Sequence, residues 1–113
     1  MNIQIFGTKK SSDARKAERW FKERRVKAQF IDLMDKGISR GELRNAAAAC
    51  GGLDALIDPD CRDRDALAFV NCIAPQQRED AVLDRPQVLR QPIVRNGRQA
   101  TVGYAPDVWK TWE

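Results

Sequence analysis

The amino-acid sequence predicts an α/β fold with a four-stranded mixed sheet, and three patterns along the chain predict that class. An apolar strand, an amphipathic helix and a second strand come first, at residues 2–33. Helical patterns follow at about residues 38–85, and a β-hairpin with a closing helix ends the chain. The short strand–helix–strand unit favours a parallel, right-handed pair of strands, whereas the hairpin is antiparallel.

The first half of the predicted sheet consists of two short apolar strands at residues 2–6 and 28–33. Between them, residues 12–25 carry apolar side chains at helical spacing, which favours a helix with one buried face. Those side chains are Ala14, Ala17, Trp20 and Phe21.

The middle of the chain begins with a capping box, in which Ser39 and Glu42 stand at the N-cap and N3 positions. Ile38 and Leu43 occupy the positions of a hydrophobic staple, so a helix is expected to start here and run to Cys50. Helical patterns continue at residues 53–57, at 63–73 (with a stripe of Ala66, Phe69, Val70 and Ile73), and from Pro75 to Asp84.

The end of the chain predicts strands at residues 92–95 and 99–102, joined by a turn at Asn96-Gly97. A closing helix is expected from the spacing of Ala105, Val108, Trp109 and Trp112. A βαβ half followed by a ββα half is the layout of a thioredoxin-like fold. The helices at about residues 38–85 are then an insertion between the two halves.

Composition favours one globular domain spanning residues 1–113, because 42% of the residues are hydrophobic and 32% are charged. No apolar run approaches the roughly 18–20 residues that span a membrane. The N-terminal residues lack the basic and apolar regions of a signal peptide. We therefore expect a cytoplasmic protein that has no membrane partner.

Positive charge is concentrated around the first helix. Residues 9–27 hold nine basic and three acidic residues, a local balance of +6, while the whole chain carries +4. Such a helix can meet nucleic acid, an acidic protein surface or a small anion, although a solvated face with local ion pairs is the commoner arrangement. No motif for sequence-specific nucleic-acid recognition is present.

The three cysteines, Cys50, Cys61 and Cys72, have wide spacing, and no C-x-x-C pair occurs. This argues against a zinc site and a disulfide framework, and no metal site is expected. The absence of histidine excludes a Ser-His-Asp or Cys-His mechanism within one chain. Cys50 is expected in the core and Cys72 half-buried, while Cys61 is expected to be exposed and is a candidate displaced redox thiol.

Ser11 and Ser12 stand where the first strand passes into the first helix. Free N–H groups and the helix dipole favour an anion at such a joint. The two serines are compatible with a helix cap, and also with an anion cradle supported by Lys9, Lys10 and Arg15. Both roles can be held together.

Three segments of the sequence resemble the arsenate reductase-like (ArsC/Spx) family of the thioredoxin fold. They are IQIFGTKKSSDARKAERWFKERRV, FIDLMDKGISRGEL and LRQPIVRNGRQATVGYAPDVWK. In active family members a cysteine, four residues before the arginine that matches Arg15, attacks arsenate. Ser11 holds that position here. The regulators of the Spx branch carry a second cysteine three residues further on, where this chain has Ala14.

The resemblance also implies three arginines that hold the oxyanion, and none of the matching positions is arginine here. They fall on Gln91, at about Tyr104 and, less securely, near Asp58. Pro92 matches the family's cis-proline, which would turn Gln91 toward the helix start. The nearby arginines are expected on the surface rather than as a replacement clamp; they are Arg90, Arg95 and Arg98.

These departures imply an arsenate reductase-like protein that lacks thiol redox catalysis. The anion-binding candidates are Lys10, Ser11, Ser12, Arg15, Gln91 and Pro92. The alternatives are an Spx-like module that binds a transcription-machinery protein, and an active reductase in which serine has replaced the nucleophilic cysteine. No cofactor is expected, and glutathione or glutaredoxin would serve as reductant only in an active enzyme.

Overall fold

A computed structural model describes residues 1–112, and Glu113, the last residue of the predicted domain, lies outside the described residues. Its four strands form one mixed sheet in the order β2-β1-β3-β4. The strands are β1 (Ile3–Gly7), β2 (Ala28–Asp32), β3 (Ile93–Asn96) and β4 (Gln99–Val102). β1 is parallel to β2 and antiparallel to β3, and the predicted α/β class with a mixed sheet is confirmed.

Helix α1 (Ser12–Glu23) buries Ala14, Ala17 and Phe21 and ends two residues earlier than predicted. Arg25 has a left-handed backbone, with φ 58°. Its N–H donates to the Lys22 carbonyl at 3.0 Å, and the Val26 N–H donates to the Phe21 carbonyl at 3.0 Å. This is the Schellman arrangement, with arginine where glycine is usual, and it ends the helix.

The helical insertion lies between β2 and β3. It contains α2 (Arg40–Cys50), α3 (Arg64–Cys72) and α4 (Arg78–Asp84), with 3₁₀ turns at Leu53–Leu56, Pro75–Gln77 and Pro86–Val88. The predicted capping box is present: the Ser39 hydroxyl accepts the Glu42 N–H at 3.2 Å, and a Glu42 carboxylate oxygen accepts the Ser39 N–H at 2.9 Å.

The predicted stripe on α3 is wrong at one position. Ala66 and Val70 are buried, but Phe69 is 42% exposed and Leu67 is buried instead. The guanidinium of Arg85 stacks 3.9 Å from the Phe69 ring centroid, which gives the ring a partner at the surface.

The hairpin differs from its prediction by one residue. β3 extends to Asn96, which pairs with Gln99, so the two turn residues are Gly97 and Arg98. Gly97 has φ 61° and Arg98 has an ordinary negative φ, as in a type II′ turn with glycine at its first central position.

Two buried clusters lie on opposite faces of the sheet. The insertion helices pack on one face, against Phe6, Ile31 and Ile93. Helix α1 and the short closing helix α5 (Pro106–Trp109) cover the other face, which presents Ile3, Ile5 and Val94. The indole N–H of Trp109 donates to Thr101 Oγ1 at 2.7 Å, which ties α5 to β4. No helix within residues 1–112 is long and apolar enough to cross a membrane.

Candidate functional site

The joint between β1 and α1 depends on the absence of a side chain at Gly7. A Cβ at this buried position would lie 2.8 Å from Ala14 Cβ and 3.3 Å from Gln91 Oε1. Contacts of carbon with carbon are ordinarily 3.5 Å or longer. Glycine therefore allows the first turn of α1 and the segment before β3 to approach the end of β1 closely.

Ser11 is the N-cap of α1. It has an extended backbone (φ −81°, ψ 121°), and its Oγ accepts the Ala14 N–H at 3.2 Å. Its carbonyl oxygen accepts the Arg15 N–H at 3.1 Å. Such a cap stabilises a helix by ~1 kcal/mol. Ser12 is the exposed first residue of the helix, so the predicted capping role falls to Ser11.

Gln91 faces the same loop, as the resemblance implied. The Gln91–Pro92 peptide bond is cis. Gln91 Oε1 accepts the Thr8 N–H at 2.7 Å and the Thr8 hydroxyl at 3.2 Å. The Pro92 carbonyl accepts the Gly103 N–H at 2.9 Å. Gln91 is thus an acceptor that uses donors of the loop, whereas an arginine there would be a donor toward an anion.

Some donors at the helix start remain free. In the part of the chain that the structure describes, the N–H groups of Lys10, Ser12 and Asp13 have no internal acceptor. The positive end of the α1 dipole lies at these N–H groups, so the helix start can bind an anion through them. The Asp13 carboxylate lies in the same turn and opposes this attraction.

The three basic residues expected to support an anion are not equivalent. Lys9 Nζ lies 2.8 Å from Glu18 Oε1 and 4.1 Å from the Phe30 ring centroid, so it is engaged away from the cap. Lys10 and Arg15 are exposed, and neither has an ion-pair partner among residues 1–112. Lys9 is therefore already paired with a carboxylate, whereas the side chains of Lys10 and Arg15 are available to an anion.

The other clamp positions have internal contacts of their own. Tyr104 packs edge-on against Trp109, with the ring centroids 5.4 Å apart, and is 43% exposed. Asp58 Oδ1 accepts the N–H of Asp60 at 2.8 Å. Neither side chain supplies a cation.

Of the hairpin arginines, Arg90 and Arg98 are exposed as expected, but Arg95 is not a surface residue. Its side chain is only 17% exposed and lies 3.6 Å from the Glu42 carboxylate. It also donates to Asn45 Oδ1 at 2.8 Å and to Gln4. Arg95 therefore joins the sheet to α2, which is a role that periodicity alone does not indicate.

The prediction that Cys61 is exposed is wrong, because the side chain is 5% exposed. Its thiol donates to the carbonyl of Gln87 at 3.3 Å. Cys72, expected half-buried, is the exposed thiol. Burial raises the pKa of the partly exposed Cys50 thiol. None of the three belongs to the β1–α1 joint, and within residues 1–112 no group of three or more His, Cys, Asp or Glu side chains is arranged to hold a metal.

The fold is shared with solved structures at low sequence identity. An ArsC family related protein from Bacteroides fragilis matches with TM-score 0.82 and 14% identity, over 100% of this chain and 98% of its own. Arsenate reductase from Vibrio cholerae matches with TM-score 0.79 and 20% identity, over 96% and 94%. An arsenate reductase (ArsC) related protein from Brucella melitensis gives 0.66 and 16%, over 99% and 94%.

No protein-family model matches the sequence, and a search of curated proteins gives no match. The assignment of the fold therefore depends on the similarity to solved structures, which covers nearly the whole chain. The chain is an α/β protein of the thioredoxin-like class. More particularly, it has the architecture of the arsenate reductases and their ArsC-related proteins, in agreement with the resemblance of its sequence segments.

Proposed function

We propose that this chain is a member of the arsenate reductase-like family that has no thiol redox catalysis and acts as a binding module. The observation that carries the proposal is the hydrogen bond from the Ala14 N–H to Ser11 Oγ. At the position of the family's nucleophile, the side chain caps the helix.

The chemistry supports a non-catalytic module. A thiol with an ordinary pKa of ~8.5 ionises near neutral pH at a helix N-terminus, whereas a serine hydroxyl needs an adjacent base. The chain has no histidine to act as that base. Serine also forms no disulfide, so Ser11 cannot form the sulfur–sulfur bond that a glutathione- or glutaredoxin-dependent cycle requires.

The ligand we propose at this joint is a small oxyanion that binds weakly. The N–H groups of Ser12 and Asp13, with the side chains of Lys10 and Arg15, are the donors that favour it. Gln91 in place of a bidentate arginine and the carboxylate of Asp13 both reduce the affinity. A cytoplasmic location belongs to the same proposal, since the cytosol keeps thiols reduced and the three cysteines are free.

A titration with sodium sulfate, followed by amide NMR, tests the site. Chemical shift changes should concentrate at residues 10–15 and weaken with added chloride, because salt screens the attraction. Arg15→Gln should reduce the affinity. Arg19→Gln, an equal charge change one turn further along α1, is the matched control and should have a smaller effect. If residues 10–15 stay unmoved while other amides respond, the joint binds no anion.

A second candidate is a reductase scaffold in which serine has replaced the nucleophile, and the N–H groups left free at the start of α1 favour it. Ser11→Cys, assayed with arsenate, glutathione and glutaredoxin, separates the two. Turnover in this variant would identify a reductase scaffold. If turnover is absent and an affinity purification recovers a defined protein partner, a regulatory module of the Spx type is supported.

A further inference from the structure

We propose that the free edge of strand β2 binds an extended acidic segment of a partner protein, which adds to the sheet as a fifth strand. The carboxylates of this segment occupy the basic cleft at the start of β2. Two independent features support the proposal: unpaired backbone groups along β2 and three unpaired cations beside them.

The register of the sheet shows which backbone groups of β2 face outward. In the parallel pair, Gly7 stands opposite Asp32, and the Leu33 N–H donates to the Gly7 carbonyl at 3.0 Å. Odd-numbered residues of β2 therefore bond to β1, since alternate residues of a strand face opposite edges. The N–H and C=O groups of Ala28 and Phe30, with the N–H of Asp32, face away from the sheet.

These outward groups have no hydrogen-bond partner within residues 1–112. The edge is not blocked by proline or a bulge, since β2 pairs with β1 over five consecutive residues. The carbonyl of Asp32 accepts three N–H groups of the following turn, which closes the edge at that end. The open part accommodates a short extended segment by strand addition.

A cleft of about 340 Å³ lies at the other end of this edge. Its basic side chains are Lys22, Arg25 and Lys27, and its one carboxylate belongs to Glu18. Glu18 is already paired with Lys9 at 2.8 Å. In the described residues none of the three cleft cations has an ion-pair partner, so the cleft presents uncompensated positive charge to whatever pairs with β2.

The combination of edge and cleft selects an acidic peptide. Nucleic-acid phosphates provide only acceptors, so they leave the outward carbonyls of Ala28 and Phe30 without donors. A second copy of this chain would bring a β2 strand that carries one carboxylate, Asp32, together with its own basic cleft. An acidic peptide supplies backbone donors and acceptors along the edge and carboxylates for the cleft.

A fluorescein-labelled heptapeptide, Glu-Asp-Val-Thr-Val-Asp-Glu with blocked ends, is the probe, and its control replaces each acid by the corresponding amide. We expect the acidic peptide to bind and the control to bind much less. In NMR, the amides of Phe30 and Asp32 should move more than those of Gln29 and Ile31. Equal binding of both peptides, or shifts confined to residues 10–15, would overturn the proposal.

Two variants separate the contributions of the cleft and the edge. Lys22→Gln/Lys27→Gln should weaken binding on the order of 10-fold, at a few-fold per charge. Arg98→Gln/Lys110→Gln makes the same change of charge elsewhere and should leave binding nearly unchanged. Ala28→Pro removes an outward N–H at the first residue of the strand, where proline is tolerated, and should also weaken binding.

Sedimentation of the protein without peptide completes the test. A monomer is expected. A dimer that Ala28→Pro dissociates would assign the edge to a second copy and overturn the proposal. The sulfate titration at the α1 cap concerns different amides, so failure of the edge proposal and failure of the proposed function are distinguished by residue.

Discussion

Replacing Gly7 by alanine tests the packing that shapes the candidate site. The new Cβ would lie 2.8 Å from Ala14 Cβ, and Ala14 is fully buried on α1. Gly7 is not in the left-handed region, so the backbone itself tolerates alanine and the cost is steric. Overpacking of this kind costs about 1–3 kcal/mol, which we expect as the loss in the free energy of unfolding.

Urea unfolding of a double-mutant cycle measures this cost directly. Ala14→Gly alone should destabilise by about 1 kcal/mol or more through helix propensity. In the double variant Gly7→Ala/Ala14→Gly the clash is relieved, so the two losses should be less than additive. Gly41→Ala is the matched control, because no atom lies within 4 Å of its new Cβ. Full stability of Gly7→Ala, or strict additivity, would refute the close approach of β1 and α1.

Three further predictions concern the cap, an ion pair and the thiols. Ser11→Ala should lower the free energy of unfolding by ~1 kcal/mol in urea, and no change would contradict the capping role. Hydrogen bonds from Arg44 and Arg40 of α2 lower the pKa of the Glu79 carboxyl from 4.5 to about 2. Its stabilisation is therefore present above pH 4.5 and lost as the pH falls toward 2, so Glu79→Gln should flatten acid unfolding curves over that range. With a thiol reagent, Cys72 should react first and Cys61 only on unfolding, and rapid labelling of Cys61 would refute its burial.

Local patterns were predictable where one short stretch contains all of the determinants. The capping box at Ser39 and Glu42 is such a case, because both partners lie within four residues. The order of strands and helices was predictable for the same reason, since each element has its own periodicity. A serine cap at Ser11 or Ser12 followed from their place between a strand and a helix, whereas the choice of Ser11 came from the structure.

Side-chain environments set by distant segments were not predictable. Cys61 follows an Asp-Pro-Asp sequence that indicates exposure. It is buried nevertheless, and its S–H donates to the carbonyl of Gln87, 26 residues further along the chain. The early end of α1 depends on Arg25 adopting a left-handed backbone, for which arginine gives no signal. The cation–π contact of Lys9 with Phe30 could not be predicted, because it depends on where β2 lies and the helix pattern around Lys9 does not indicate that position.

An arsenate reduction assay on the unaltered chain, with glutathione and glutaredoxin present, tests the central claim most directly. The account predicts no arsenite above the background measured without protein, since Ser11 caps α1 and no ionisable thiol stands at the helix start. Turnover that depends on both the protein and glutathione would contradict it.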